Sequence, residues 1–353
     1  MTGNRKGPNG RRGWLHAGGR VIIASLAAVA AVTTSPAADD HLGPVAIVAP
    51  TTPGSSFDQL ARAVGSGLST AGLAADVEVI NVPGSGGTVA LERFVSPGPT
   101  AKPSNTSRFL IVGLPTLAKA LQSGKADALA QVVPVAQLTA EPLALVVPAL
   151  SPITAAADLV RLLKEDSVGV VWAGGTVGGI DHLTAALFAQ AIGIEPQQIN
   201  YVPFLNGTEA LAALLRSQAH VGIGAIAEFE GQIASGRLRL IAVTGPERAA
   251  GIEVPTLREQ GIDLAVTDWR GIVAPPAAAA DRLRPIRAVG DLARSEAWAE
   301  RLRTRRWTPA YLDGDAFAGI LKAEQERFAA VLATLGLTMP AITHSSGPSA
   351  DRQ

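Results

Sequence analysis

Three glycine-rich turns hold the residues best suited to bind something. The first reads Pro53-Gly54-Ser55-Ser56-Phe57-Asp58, and the second Asn81-Val82-Pro83-Gly84-Ser85-Gly86-Gly87-Thr88. The third lies deeper in the chain: Gly174-Gly175-Thr176-Val177-Gly178-Gly179-Ile180-Asp181-His182. Each follows an apolar, strand-like run and opens a helix-like one. Such a turn aims free backbone N–H groups past the end of the strand, and glycine lets a ligand approach without meeting a side chain. Donors at the positive end of a helix dipole suit a carboxylate or a phosphate. A purely structural turn is the alternative for any one loop. If the third loop belongs to a second domain, the three face one another across a cleft and clamp a small anion between them.

These residues do not form a catalytic set. Ser85 stands between glycines, yet Gly-x-Ser-x-Gly fails because Pro83 occupies the first glycine position, and no His and acid follow in a recognisable arrangement. There is no Gly-Lys-Ser/Thr phosphate loop. Gly84-x-Gly86-Gly87 also lacks the third spacing of a dinucleotide fingerprint. His41, His220 and His344 have no metal-ligand spacing, and the chain has no Cys, which removes thiolate sites and disulfides. The expectation is binding without chemistry: no enzyme, no cofactor and no metal.

The elements that must position the loops are βα units. Residues 45–49 read as a buried strand, and Phe57, Leu60, Ala61, Val64 and Leu68 recur at helical spacing after the first loop. Ser55 or Ser56 is the expected N-cap, and Asp58 with Arg62 forms an i, i+4 pair that also suits the dipole. Residues 77–80 and 88–95 flank the second loop as strand and helix, and residues 168–172 and 182–192 flank the third, with Asp181 as its expected cap. Further strands are expected at 109–112, 132–137, 143–147, 199–202, 221–226, 238–243 and 271–274, and helices at 159–164, 209–216 and 315–335. This alternation implies a largely parallel sheet covered on both faces. Trp172 and Trp269 read as core, and His182 either touches ligand or supports the loop. Residues 97–105 read as a surface loop and 345–353 as a disordered tail.

The N-terminus indicates where the protein works. Arg5, Lys6, Arg11, Arg12 and Arg20 precede an apolar run over 21–32 that ends in small residues around Ser35-Pro36-Ala37, the pattern of an export signal over residues 1–38. The run is shorter than the roughly 20 residues a membrane span needs. Gly10-Arg11-Arg12-Gly13 is similar to a twin-arginine signal, with a chance Arg pair as the alternative. The expected location is therefore periplasmic or otherwise extracytoplasmic, and the missing Cys rules out a lipid-anchored form. With 47% hydrophobic residues and a formal net charge of zero, the chain has no composition for nucleic acid or a membrane surface. The cluster Arg301, Arg303, Arg305 and Arg306 reads as a solvated helix end.

In order, these motifs resemble those of the substrate-binding receptors of tripartite tricarboxylate transporters, the Bug or TctC type. The family pattern Pro-Gly-Gly-x-x-Asp-x-x-Ala-Arg falls on residues 53–62, and Asn-x-x-Gly-(Ala/Ser)-Gly-Gly on 81–87. The later Gly-x-Gly-Ser-x-x-His-Leu turn falls on 175–183, Val-Pro-Tyr-x-Gly on 202–207, and the Ser-Gly-Lys strand motif on 235–243. Val-Pro-Thr-x-x-Glu-x-Gly follows at 254–261 and Trp-x-Gly-x-x-Ala-Pro at 269–275.

The resemblance implies an α/β, two-domain periplasmic-binding-protein-like fold of type II, with a ligand cleft between domains joined by two crossing strands. Domain 1 would comprise residues 41–142 and 271–344, and domain 2 residues 143–270. It implies a small carboxylate held by the backbone of Gly54, Ser55, Gly84, Gly86 and Gly87, with Ser56, Asp58 and Ser85 adding side-chain or water-mediated contacts. Thr176, Gly178 and Gly179 would face it from the second domain, and Thr116 is a further candidate. Asp268 and Glu141, at the domain crossings, are expected as hinge or cleft residues. The implied partners are the ligand and integral-membrane transporter subunits, the receptor itself acting as a monomer.

Departures from the pattern are Ser55 for the second glycine of the first loop, Gly179 for the turn serine and Phe204 for the tyrosine. The lost hydroxyls imply a smaller or less polar ligand, and Phe204 either lines the site or belongs to the core. A receptor that presents its closed form to a signalling system is the alternative function, and an exported hydrolase a more distant one.

Overall fold

The computed structural model describes residues 41–96, 105–205, 207–249 and 251–338. The expected export signal, residues 97–104 of the surface loop, Asn206 of the fourth motif, His344 and the C-terminal tail lie outside the described residues. Among the described residues the elements run β1 (Pro44–Ala49), α1 (Ser56–Thr70), β2 (Asp76–Asn81), α2 (Thr88–Val95), β3 (Ser107–Gly113), α3 (Leu114–Gln122) and α4 (Ala126–Ala130). It continues through β4 (Val133–Pro148), α5 (Ala156–Glu165), β5 (Val171–Gly174), α6 (Ile180–Ala191), β6 (Asn200–Pro203), α7 (Gly207–Leu215) and β7 (Val221–Ala225). The remainder is α8 (Ile226–Ala234), β8 (Leu238–Val243), β9 (Thr267–Ala274), α9 (Leu283–Arg294), α10 (Glu296–Arg305), β10 (Pro309–Asp313) and α11 (Gly314–Thr334).

The strands lie in the order β2-β1-β3-β9-β4-β7-β5-β6, with β8 and β10 also paired to β4. Two groups are parallel. In one, β1 pairs with β2 and β3; in the other, β5 pairs with β6 and β7. The pairings that link the groups are antiparallel: β3 with β9, and β4 with β9, β7, β8 and β10. This corrects the expectation of a largely parallel sheet. The sheet is mixed because β4 and β9 carry the chain between the groups directly, without a helical crossover to reverse their direction. Where the sequence suggested strands at 132–137 and 143–147, β4 is one strand of 16 residues. The polar stretch around Thr139 to Pro142 hides its continuity, which comes from pairing with β9: Thr139 opposes Arg270, Glu141 opposes Asp268, and Pro142 opposes Thr267. The short β10 has no strand signal in the sequence. It begins at a proline, is half-exposed, and keeps its place through antiparallel pairing with β4.

The helices bury the faces their spacing predicts. On α1, Leu60, Ala61, Val64 and Leu68 pack with Ile47 of β1, Phe109 and Ile111 of β3, and Leu292 of α9. A larger cluster runs from Leu117 and Leu121 of α3 through Trp172, Leu183 and Phe188 to Phe317 and Phe328 of α11. Trp172 and Trp269 are core residues, at 0% and 2% exposure. Trp269 meets Phe317 edge-on, with ring centroids 5.5 Å apart. Beneath them β9 passes so close to β4 that a Cβ on Gly271 would lie 2.5 Å from the Ala136 carbonyl and 2.7 Å from Phe317 Cζ.

Parallel pairing brings the C-terminal ends of β1, β2 and β3 to one edge, at Ala49, Asn81 and Gly113. The antiparallel β9 starts at that edge, since Gly113 opposes Arg270. In doubly wound sheets this edge is where ligands sit. Phe317 holds β9 there from behind, so Phe317→Ala should cost about 3–5 kcal/mol of unfolding free energy. Urea denaturation followed by tryptophan fluorescence checks this, and a loss below about 1 kcal/mol would deny Phe317 that place.

Candidate functional site

The first loop is built around a buried carboxylate. Asp58 is 2% exposed. It accepts from the Gly54 N–H at 2.8 Å, from Asn81 Nδ2 at 2.9 Å and from Arg62 Nε at 3.0 Å. Arg62 and these donors hold its pKa down at about 2. Ser55 is the N-cap of α1, its hydroxyl accepting from the Asp58 N–H at 3.5 Å. With its oxygens taken by internal donors, Asp58 joins the first loop to Asn81 at the root of the second. Ser56 and Gly54 are exposed at the loop's rim. The N–H groups of Ser56 and Phe57, in the first turn of α1, have no partner among the described residues.

The second loop is a strained turn. Ser85, Gly86 and Gly87 all have positive φ, at 45°, 61° and 95°. A non-glycine residue in this region is uncommon, and strain of this kind gathers at ligand sites. The Gly87 N–H donates to the Gly84 carbonyl, and Thr88 Oγ1 donates to that of Ser85. The Ser85 and Gly86 N–H groups are left without partners among the described residues. Helix α3 supports this loop. A Cβ on Gly87 would lie 3.0 Å from Thr116 Oγ1, and one on Gly86 would lie 2.9 Å from Lys119 Cγ. Thr116 is 1% exposed, so it underlies the second loop as part of its floor.

The third loop differs from the first two. Much of its donor capacity is spent internally: the Gly175 N–H donates to Asp181, the Gly178 N–H to His182 Nδ1 and the Gly179 N–H to the Thr176 carbonyl. Gly179, not Asp181, occupies the N-cap of α6, and Asp181 reaches back to Gly175 at 2.8 Å. This corrects the expected cap. The His182 ring stacks on Tyr201 with centroids 4.4 Å apart, and Tyr201 donates its hydroxyl to the Gly175 carbonyl. His182 therefore supports the loop, whereas Thr176 stays exposed. Phe204 packs, half-buried, against a small cluster around Ala173 and Phe229, and its N–H donates to Gly174.

Charged side chains that the motifs did not single out for ligand contact are held by contacts of their own. Arg270 pairs with Asp268 at the start of β9 and lies over the Phe57 ring, 5.7 Å from its centroid. Glu141 accepts from the Thr308 N–H and hydroxyl, both at 2.8 Å, tying β4 to the approach to β10. Glu228, at the start of α8, lies against Gly207 and Gly224. Burial raises the pKa of Asp181 to about 7, with the charges of Glu228 and Asp268 adding to it against the Gly175 N–H. Burial also raises Glu228 and Asp268, the latter opposed by Arg270, and lowers His182. The contacts of Arg270 with Phe57, of Glu141 with Thr308 and of Glu228 with Gly207 join residues far apart in sequence, so spacing alone carried no signal for them. Among the described residues no cluster of three His, Asp or Glu side chains is placed to hold a metal ion, and no helix is long and apolar enough to cross a membrane.

Comparison with known proteins places this geometry. A family model described as the tripartite tricarboxylate transporter family receptor matches residues 60–337. A UPF0065 protein from the tcbD-tcbE intergenic region of Pseudomonas sp. strain P51 is 28% identical over 73% of this chain and 76% of its own length. A TctC solute-binding protein from Polaromonas superposes with a TM-score of 0.69 at 21% identity, over 83% of this chain and 99% of that one. Rpa4515 from R. palustris, solved with adipate, gives 0.62 at 22% identity, over 83% and 97%. These structural likenesses establish the same α/β solute-binding fold.

The raised pKa of Asp181 gives the site a pH signature. Between the ordinary carboxylate range and about 7, the folded chain holds a proton that the unfolded chain releases. Its contribution to stability therefore falls as pH rises through that window and stays low above it. Asp181→Asn keeps an acceptor for the Gly175 N–H and removes the charge. The variant should melt roughly 2–4 °C above the parent at pH 8 and lose that advantage at pH 5. Melting curves across the range check this; an equal offset at both ends would contradict it.

Proposed function

Because the chain belongs to the family of tripartite tricarboxylate transporter receptors, we propose that it is an exported receptor that captures a small carboxylate and hands it to integral-membrane transporter subunits. The receptor acts as a periplasmic monomer and does no chemistry on its ligand. One lobe comprises residues 41–142 and 271–344, the other residues 143–270, and the ligand lies in the cleft between them. The observation that carries this reading is the pair of strand-end loops. Their N–H groups at Ser56 and Phe57 and at Ser85 and Gly86, without partners among the described residues, are bound to one frame through Asp58 and Asn81. Backbone donors of this kind favour one carboxylate group. Ser55, Ser56 and Ser85 add hydroxyls, Gly54 keeps the approach clear, and Gly84 and Gly87 supply the positive φ that the second loop's turn needs. The adipate in the similar R. palustris protein supports the ligand class. Thr176, Phe204 and the side chain of Glu228 face the ligand's far end, and Arg270 stands beside the first loop over Phe57; together they select among carboxylates.

Thermal shift of the chain from Asp39 onward against mono-, di- and tricarboxylates tests this. A ligand at 100 times its Kd stabilises by about 2.7 kcal/mol, a readily seen rise in Tm. Gly86→Val should abolish that rise while leaving the far-UV circular dichroism unchanged, because its Cβ would press on Lys119 Cγ at 2.9 Å and a β-branched residue does not hold the φ of 61° that aims the Ser85 and Gly86 N–H groups. A variant that binds as well as the parent would remove the second loop from the site.

A further inference from the structure

Two side chains on one face of α3 connect the second loop to the third. Lys119 lays its stem against Gly86, and its ammonium donates to Gln122 Oε1 at 2.8 Å. Gln122 Nε2 donates to the Val177 carbonyl at 3.2 Å and lies directly against Gly178. The second loop and α3 follow strands of the first parallel group, whereas Val177 and Gly178 follow β5 of the second. The chain of contacts therefore spans the two groups at the mouth of the site.

The chemistry of this link is directional. An ammonium only donates, so Lys119 claims the carbonyl oxygen of the Gln122 amide and turns its NH2 outward. That NH2 is the donor the Val177 carbonyl needs. Gly178, at φ 72°, has no side chain to keep the amide away. The third loop meanwhile turns its own Gly175, Gly178 and Gly179 N–H groups inward, so its outward grip is a carbonyl held by α3.

We propose that Gln122, oriented by Lys119, is a latch that holds the third loop to α3 and so sets how tightly the cleft retains its carboxylate. Gln122 is a positioning residue in this scheme, and the affinity part of the inference rests on the receptor reading above. Gln122→Glu is the sharpest probe. It preserves size and the Lys119 partner but sets a carboxylate oxygen against the Val177 carbonyl, leaving acceptor facing acceptor. Gln122→Ala removes the link altogether.

Hydrogen exchange followed by mass spectrometry on the ligand-free full chain reads the latch directly. Both variants should exchange roughly threefold to tenfold faster than the parent in the segment 176–180, the worth of about one hydrogen bond, with the rest of the chain unchanged. Adipate, used as the probe ligand, should dissociate from both variants at a Kd raised by a similar factor. Unchanged exchange at 176–180 in both variants, or an even rise over the whole chain, would overturn the latch. Should the parent bind no carboxylate, the receptor reading fails on its own, while the exchange comparison still decides whether Gln122 holds the third loop.

Discussion

The buried carboxylate of Asp58 is the point on which the site depends. A charge almost fully removed from water is tolerable only when it is surrounded by donors, and here the donors come from three places. The Gly54 N–H belongs to the first loop, Asn81 to the end of β2 and Arg62 to the next turn of α1. Satisfying that one group starts α1, closes the first loop and moors the second. The N–H groups left over at Ser56, Phe57, Ser85 and Gly86 are therefore presented by a fixed frame. A ligand meeting such a frame loses little to reorganisation, which is how backbone donors with no formal charge hold an anion.

A second constraint comes from β4 and β9. Their antiparallel pairing runs from Val133 opposite Ala274 to Pro142 opposite Thr267, and β4 continues alone to pair with β7 and β8. Any movement of one parallel group relative to the other must bend these two strands. Near that bend lie Glu141, Asp268 and Arg270, each engaged in a polar contact. The three glycine loops are therefore not equivalent. The first and second present open donors, whereas the third is folded onto its own side chains and reaches α3 through a carbonyl.

Much of this was legible from the sequence where local pattern and tertiary structure agree. The spacing of Leu60, Ala61, Val64 and Leu68 marks α1 because that helix packs by a single face on the sheet. Asp58 and Arg62 are one helical turn apart and form their ion pair at 3.0 Å. The β8 boundaries, Leu238–Val243, follow an uninterrupted strand pattern between turn residues. Readings failed where a distant partner decides the outcome. The middle of β4 is polar and carries a proline, so its pairing with β9, and with β10 at Thr139, makes it a strand. Asp181 looks like a cap, yet the Gly175 N–H is the donor it reaches. Gln122 meets Val177 from 55 positions away, and no local spacing encodes that contact.

The central claim is that one carboxylate rests on the backbone N–H groups of the first two loops. Amide chemical shifts of the 15N-labelled chain, titrated with adipate or with a tighter carboxylate from the thermal panel, test it at the level of single donors. The account predicts that the largest saturable shifts fall on Ser56, Phe57, Ser85 and Gly86, with smaller ones around Thr176. Saturable shifts centred elsewhere, with those four amides unmoved, would contradict it.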